Sequence, residues 1–319
     1  MTSEAISQLF GDALTLYQAG RLKEAIDAFA KVLALDPIHS PTLHYLGLIA
    51  YQSGHYERAL RWLKQAVGHQ WENPELHHDL AVVFGKLDNG YMAFNHFMEA
   101  LRYQPDYDEA CLNLGLLFQA QNQPDKAIEF LQKALRLNPQ LAKAHYALGT
   151  LFRQKALGFY AIEHFKKFLE LTPSHLEAEI QLALLYQETQ EWEKARQYYE
   201  MILSKIPIHT KHYHFYHNFG VILNHQEEWK EAGEAFQKAL QLNPHHMVGY
   251  LHYAQALVQQ GKKSEAIHLY QQGLQYFPEQ FAFHTNLGRL YHLSRNYSQA
   301  AEAFLKALEL NPHFAEVHF

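Results

Sequence analysis

Histidine offers the most chemistry in this chain, which carries 23 of them among 319 residues. A neutral imidazole can ligate a metal, pass a proton or change charge near neutral pH. His212, His214 and His217 cluster in the segment HYHFYHNF, and the last two stand three residues apart, a spacing that sets two rings side by side on a helix. Two such nitrogens without a nearby cysteine or carboxylate fall short of a metal site, so neither a metal nor another cofactor is expected. Two other readings remain: solvated or turn histidines, as at His245 and His246 after Pro244, and a pH response as imidazoles charge below about pH 6.5. Cys111 is the single cysteine, so no disulfide can form within the chain. Its core-facing position reads as a small buried hydrophobe. No phosphate-binding glycine loop, serine-centred elbow or metal quartet interrupts the chain, which reads as non-catalytic.

The elements that must position these side chains repeat. Ala25, Ala59, Ala93, Ala127, Ala161, Ala195, Ala232, Ala266 and Ala300 are separated by seven gaps of 34 residues and one of 37. Placing each alanine at position 20 of a 34-residue frame starts repeats at Ile6, Ser40, Pro74, Asp108, Ala142, Leu176, Tyr213, Met247 and Phe281, with Thr210, Lys211 and His212 as an insert. Position 8 is always small, from Ala13 and Gly47 to Gly288, and position 24 is always large and apolar, from Phe29 and Leu63 to Phe304. Position 32 is proline in eight repeats and Trp71 in the other. Within repeat four, Cys111, Leu114, Gly115 and Phe118 follow helical spacing, as do Ala127, Ile128, Leu131, Ala134 and Leu135. Each repeat is therefore two helices, with Gly20, Gly54 and Gly261 marking the break between them in three repeats. A period of this length builds an array in which each unit packs on its neighbours around no single core.

This pattern resembles the tetratricopeptide repeat, and LYQAGRLKEAIDAFAKVLALDP at 16–37 looks like its consensus; the likeness runs over residues 6–314. The resemblance implies an all-α fold, a right-handed superhelical α-solenoid of tandem helix-turn-helix repeats. Residues 1–319 read as one such solenoid, with a candidate hinge at 210–212 and the first residues of a tenth repeat at 315–319. Five residues cannot supply the polar capping helix that normally ends an array. The expectation is that the chain is a fragment of a longer protein, or that its end packs on another copy.

Composition narrows the function. A net charge of -6 argues against a nucleic-acid solenoid, which needs a basic channel for phosphates. No apolar run approaches the roughly 20 residues of a membrane helix, so no membrane insertion is expected. The opening MTSEAISQLF lacks the basic and apolar regions of a signal peptide, and a cytoplasmic setting is expected.

By resemblance to the family, the first helices line a concave groove through positions 2, 5, 6, 9, 12 and 13. These positions give Tyr17, His44, Tyr45, Tyr51, His78, Asp79, Asn113, Tyr146, Arg153, Gln181, His214, His217, Asn218, His252, Asn286 and Arg289 as the candidate peptide-binding residues. Rings offer apolar contact and amides grip a backbone, a lining that suits a peptide. His78 and His217 are expected to be open to solvent, so that alanine there leaves stability unchanged. The bland alternative packs some of these rings between neighbouring first helices. The carboxylate clamp of chaperone-binding members needs lysine at position 5 and asparagine at position 9, and neither occurs in any repeat. The asparagine ladder of O-linked N-acetylglucosamine transferases is matched only by Asn113, Asn218 and Asn286.

Three functions remain open: a scaffold binding a protein or peptide segment in the groove, the substrate-recognition arm of a larger transferase, and a protein that self-associates through uncapped ends.

Overall fold

The structure, a computed structural model, describes residues 3–207 and 209–312. The beginning of the expected tenth repeat, 315–319, lies outside them. The described residues form eighteen α-helices and one short 3-10 helix, with no strand among them. Contacts divide the chain into two compact units, Met1–Thr172 and Pro173–Phe319. The first contains α1 (Ser3–Gln18), α2 (Leu22–Leu35), α3 (Ser40–Gln52), α4 (Tyr56–His69), α5 (Pro74–Lys86), α6 (Gly90–Tyr103), α7 (Asp108–Ala120), α8 (Pro124–Leu137), α9 (Ala142–Gln154) and α10 (Gly158–Leu171). The second contains α11 (Leu176–Glu188), α12 (Trp192–Lys205), α13 (Tyr213–His225), α14 (Trp229–Leu242), α15 (Met247–Gln259), α16 (Lys263–Tyr276), α17 (Phe281–Leu293) and α18 (Tyr297–Leu310). In each unit a helix packs on the next in sequence, and first helices also touch, as α5 does α7 and α13 does α15. This is an all-α solenoid of tandem helix pairs.

Each pair closes on one contact. A Cβ added at Gly220 would lie 2.7 Å from the Phe236 ring, and one at Gly115 would lie 2.7 Å from Leu131. The small residue at position 8 thus lets the two backbones approach until the large residue at position 24 fills the space. Ala127, Ala161, Leu131, Phe165 and Phe236 are fully buried.

The turn between the paired helices is also repeated. Position 15 has positive φ in all nine repeats: Gly20, Gly54 and Gly261, but also Asp88, Asn122, Ala156, Gln190, Glu227 and Arg295. The next residue donates its backbone N–H to the carbonyl five positions back, for example His55 to Ala50 at 2.8 Å and Leu157 to Phe152 at 2.8 Å. That bond satisfies an end carbonyl of the first helix and forces the left-handed residue before it. Glycine is the comfortable occupant, but the packed helix pair imposes the conformation on the others.

Proline starts three helices within their first turn, Pro41, Pro74 and Pro124, where its missing N–H costs nothing. The insert forms the 3-10 helix Thr210–His212 inside the second unit, leading directly into α13. His212 donates from Nδ1 to the Pro207 carbonyl at 2.7 Å and pins this turn.

Gly220→Ala should lower stability by about 1–3 kcal/mol through overpacking against Phe236. Ala156→Gly should instead raise it by up to about 1 kcal/mol, because left-handed backbone is strained for alanine. Urea denaturation of both variants reads the two signs; a stabilised Gly220→Ala would mean that the helix pair is not held at this contact.

Candidate binding surface

At several junctions between first helices, position 5 of one repeat meets position 6 of the next. His44 Nε2 donates to Asp79 Oδ2 at 2.6 Å, and His78 Nδ1 donates to Asp79 Oδ1 at 3.0 Å. Asn113 Nδ2 donates to His78 Nε2 at 2.8 Å. One hydrogen-bonded chain thereby crosses α3, α5 and α7. The assignment is self-consistent, because a carboxylate takes an N–H from each ring and leaves His78 Nε2 bare to accept from the amide. Burial opposes ionisation of Asp79, but hydrogen bonds from His44 and His78 outweigh it and hold the carboxyl below its ordinary value.

This geometry corrects the expected exposure of position 5. His78 and His217 are 7% and 8% exposed, and Leu112 and Thr285 are buried at the same position. His44, His78 and His217 reach the next repeat, so these rings join helices and do not stand open in a groove. Tyr45 is partly buried too, stacked on Phe29 at 5.8 Å and packed against Phe10 and Tyr17. Tyr17 accepts from Gln52 Nε2 at 2.9 Å, and Tyr51 packs against Tyr56. Asn218 Nδ2 donates to the Tyr199 hydroxyl at 3.0 Å, and Gln181 Nε2 to Glu177 at 2.7 Å. Tyr146 sits against Phe165 and Phe168. Arg153 is partly buried.

His217 and His214, paired by the sequence reading, are separated here. His214 is exposed on α13, whereas His217 packs against His246 at 4.4 Å and His252 at 5.1 Å. His217 Nδ1, His246 Nε2 and His252 Nδ1 are buried without hydrogen-bond partners. Burial, with His246 and His252 adding to it, pushes His217 down to about 3. Among the described residues no group of three or more histidine, cysteine, aspartate or glutamate side chains is arranged to hold a metal ion. Other histidines serve locally: His39 and His175 cap α3 and α11 by accepting from Thr42 and Ala178 backbone N–H groups. His225 stacks on Trp192 at 4.0 Å. Cys111 is buried, which pushes its thiol up.

Two cavities on the first-helix face lie in the second unit. One cavity of about 440 Å³ lies between α15 and α17, with Leu251, His252, Gln255, Val258, Asn286, Arg289, Leu290 and Leu293 among its walls. A second, of about 290 Å³, includes Val221, Asn224, His225, Trp229, His252 and Gln255, so the two share His252 and Gln255. Frame positions 2, 5, 6, 9, 12 and 13 supply most of these walls. Two larger cavities involve second helices, outside the groove positions of the repeat. One of about 680 Å³ is lined by residues including Gln237, Gln241, Tyr253, Gln272 and Tyr276; one of about 530 Å³ by Tyr91, Phe94, Met98, Phe118 and Phe130 among others. A signal existed: Tyr91 and Phe159 occupy position 18, where other repeats carry charged residues or serine, and both are strongly exposed.

Models of the tetratricopeptide repeat match residues 16–82, 108–141, 177–207, 223–273 and 254–313. The chain is a tetratricopeptide repeat protein. Such repeats make protein-interaction scaffolds. No curated protein matches its sequence. Among solved structures it is similar to MamA, at 28% identity over 50% of this chain and 93% of that one, with a TM-score of 0.46. It is also similar to a tetratricopeptide repeat protein from Parabacteroides merdae ATCC 43184, at 19% identity over 80% and 100% of the two chains, with a TM-score of 0.52. PilF of Pseudomonas aeruginosa is 22% identical over 69% of this chain and 97% of its own, also with a TM-score of 0.52. The last two share the fold of this tetratricopeptide repeat protein. None of its described helices is long and apolar enough to cross a membrane.

His78→Ala should cost about 1–3 kcal/mol at neutral pH, since it removes one donor to Asp79 and the acceptor for Asn113. Because the folded Asp79 carboxyl lies below its ordinary 3.8, the stability it contributes is full above that value and lost as pH falls through the lower folded one. Denaturant midpoints of wild type and variant at pH 7 should show this deficit. An unchanged midpoint for His78→Ala would remove the hydrogen-bonded chain from the stability of this unit.

Proposed function

We propose that this chain is a non-catalytic scaffold that binds a peptide segment on its first-helix face, with the main grip on α13, α15 and α17. The observation that carries this reading is the pair of abutting cavities there, walled by the groove positions of the repeat. Leu251, Val258, Leu290 and Leu293 offer an apolar seat, with Leu293 59% exposed. Gln255 stands beside it as an amide able to pair with a peptide backbone, and Asn286, whose Nδ2 donates to the Ala282 carbonyl at 2.9 Å, offers its Oδ1 as an acceptor. An extended segment carrying one apolar anchor suits this mix, since a buried side chain supplies affinity and polar contacts fix register. In the first unit the corresponding histidine and amide groups of α3, α5 and α7 bond to one another, which favours the second unit as the site. Of the candidate residues, His252, Asn286 and Arg289 line the cavity, and His217 supports it from behind through His252.

Peptides selected from a random display library by the whole chain provide the test. Gln255 and Leu293 are exposed, so Gln255→Ala with Leu293→Glu should leave the melting temperature unchanged. The double variant should bind the selected peptides at least about tenfold more weakly by fluorescence polarisation, the loss of one modest hot spot. Undiminished affinity would overturn the proposal. A loss caused instead by Tyr91→Ala with Met98→Ala would move binding to the second-helix face.

A further inference from the structure

Repeats three and five alone carry histidine at both positions 4 and 23, and in each the two rings are hydrogen-bonded. His77 Nε2 lies 2.7 Å from the Trp71 carbonyl, and its Nδ1 lies 2.9 Å from Nδ1 of His96. His145 repeats this at 3.1 Å from the Pro139 carbonyl and 3.0 Å from Nδ1 of His164. A carbonyl only accepts, so Nε2 of His77 and of His145 carries the proton and Nδ1 is bare. His96 and His164 must then donate from Nδ1 and leave Nε2 bare. Phe84 stacks on His96 and Phe152 on His164, each at 5.5 Å. Each pair ties a first helix to its own second helix and to the connection from the preceding repeat.

The fold does not require these rings. The same positions hold Leu43 with Trp62 in repeat two and Cys111 with Phe130 in repeat four. His284 makes the carbonyl contact alone, at 3.2 Å from Pro278, opposite Ala303 where a second imidazole would stand. What a neutral imidazole pair adds over an apolar pair is a response to protons. One proton can enter only as a charge at a buried site, and two cannot enter at all without breaking the Nδ1 contact, since both nitrogens would then carry hydrogen.

We propose that the His77–His96 and His145–His164 pairs make repeats three and five acid-sensitive joints, closed at neutral pH and opened as the imidazoles charge. The surroundings agree in direction. Burial, then the facing His77 and Lys64 of α4, pushes His96 down to about 4. Burial, then His145, pushes His164 down to about 4, with Glu163 opposing. His77 and His145 are lowered by burial as well; Arg102 and Lys167 reinforce this, while Glu99, Glu170 and the hydrogen-bonded carbonyls oppose it. A base lowered on folding gives stability that is full above about pH 6.5 and lost as pH falls toward 4. Every proton bound only in the open state favours opening by about tenfold per pH unit, so a joint taking up two gains up to about a hundredfold.

Hydrogen exchange of the whole chain at pH 7.5 and pH 5.0, corrected for intrinsic exchange rates, reads this out. Amides of α5, α6, α9 and α10 should lose at least tenfold in protection at the lower pH, more than those of α7 and α8. The variant combining His77→Leu, His96→Phe, His145→Leu and His164→Phe takes its leucine from repeat two and its phenylalanine from repeat four and should keep its protection. An equal loss in that variant would overturn the proposal. Should it fail to fold, imidazole titration of the wild type by NMR decides: His96 and His164 neutral and protonated at Nδ1 at pH 6 supports the joints, and ordinary midpoints near 6.5 overturn them.

Discussion

Every other feature of this molecule depends on how closely two helices approach within one repeat. The glycine or alanine at position 8 and the large residue at position 24 fix that distance, and a Cβ at Gly47 or Gly220 would come within 2.7 Å of the opposing side chain. Once the distance is set, the first helix must stop where the second begins. The position 15 residue is driven into left-handed backbone whether it is glycine or arginine. A contact repeated nine times therefore acts as a ruler, and the variable side chains are placed by it.

That placement explains where the histidines go. An imidazole has a donor, an acceptor and a flat apolar face, so it can replace an apolar side chain at a junction and still satisfy a stray carbonyl or amide. This chain uses it that way repeatedly: His77 and His145 against carbonyls of the preceding connection, His78 between Asp79 and Asn113, His39 and His175 as helix caps. Residues that look like chemistry in the sequence are in large part joinery between repeats. The consequence for binding is spatial. Where neighbouring first helices are laced together, as from α3 to α7, their polar groups already have partners. Around α15 and α17 leucines, Gln255, Asn286 and Arg289 border open space, with Asn286 also donating to the Ala282 carbonyl.

The two faces of the helix pairs also divide the work differently from what position alone suggests. First helices carry the groove positions, yet at position 5 His44, His78 and His217 turn sideways into the next repeat, while Leu251 at the same position lines open space. Second helices carry exposed rings such as Tyr91 and Phe159, which a core has no use for.

The sequence by itself determined the helix pairs, their nine-fold repetition, the prolines at helix starts and the buried alanine, because each follows from local spacing and from a steric rule applied at fixed intervals. Helical periodicity set which residues share a face of each helix, but that some of those faces border open space was not in it. Only the tertiary structure decided that His78 and His217 lie inside, that His77 meets His96, and that Asp88, Ala156 and Arg295 adopt left-handed backbone. The physical reason is one of range. Period and composition report contacts within a helix pair, whereas the direction of a side chain toward the next repeat depends on how pairs stack, and a strained turn depends on packing strong enough to override local preference.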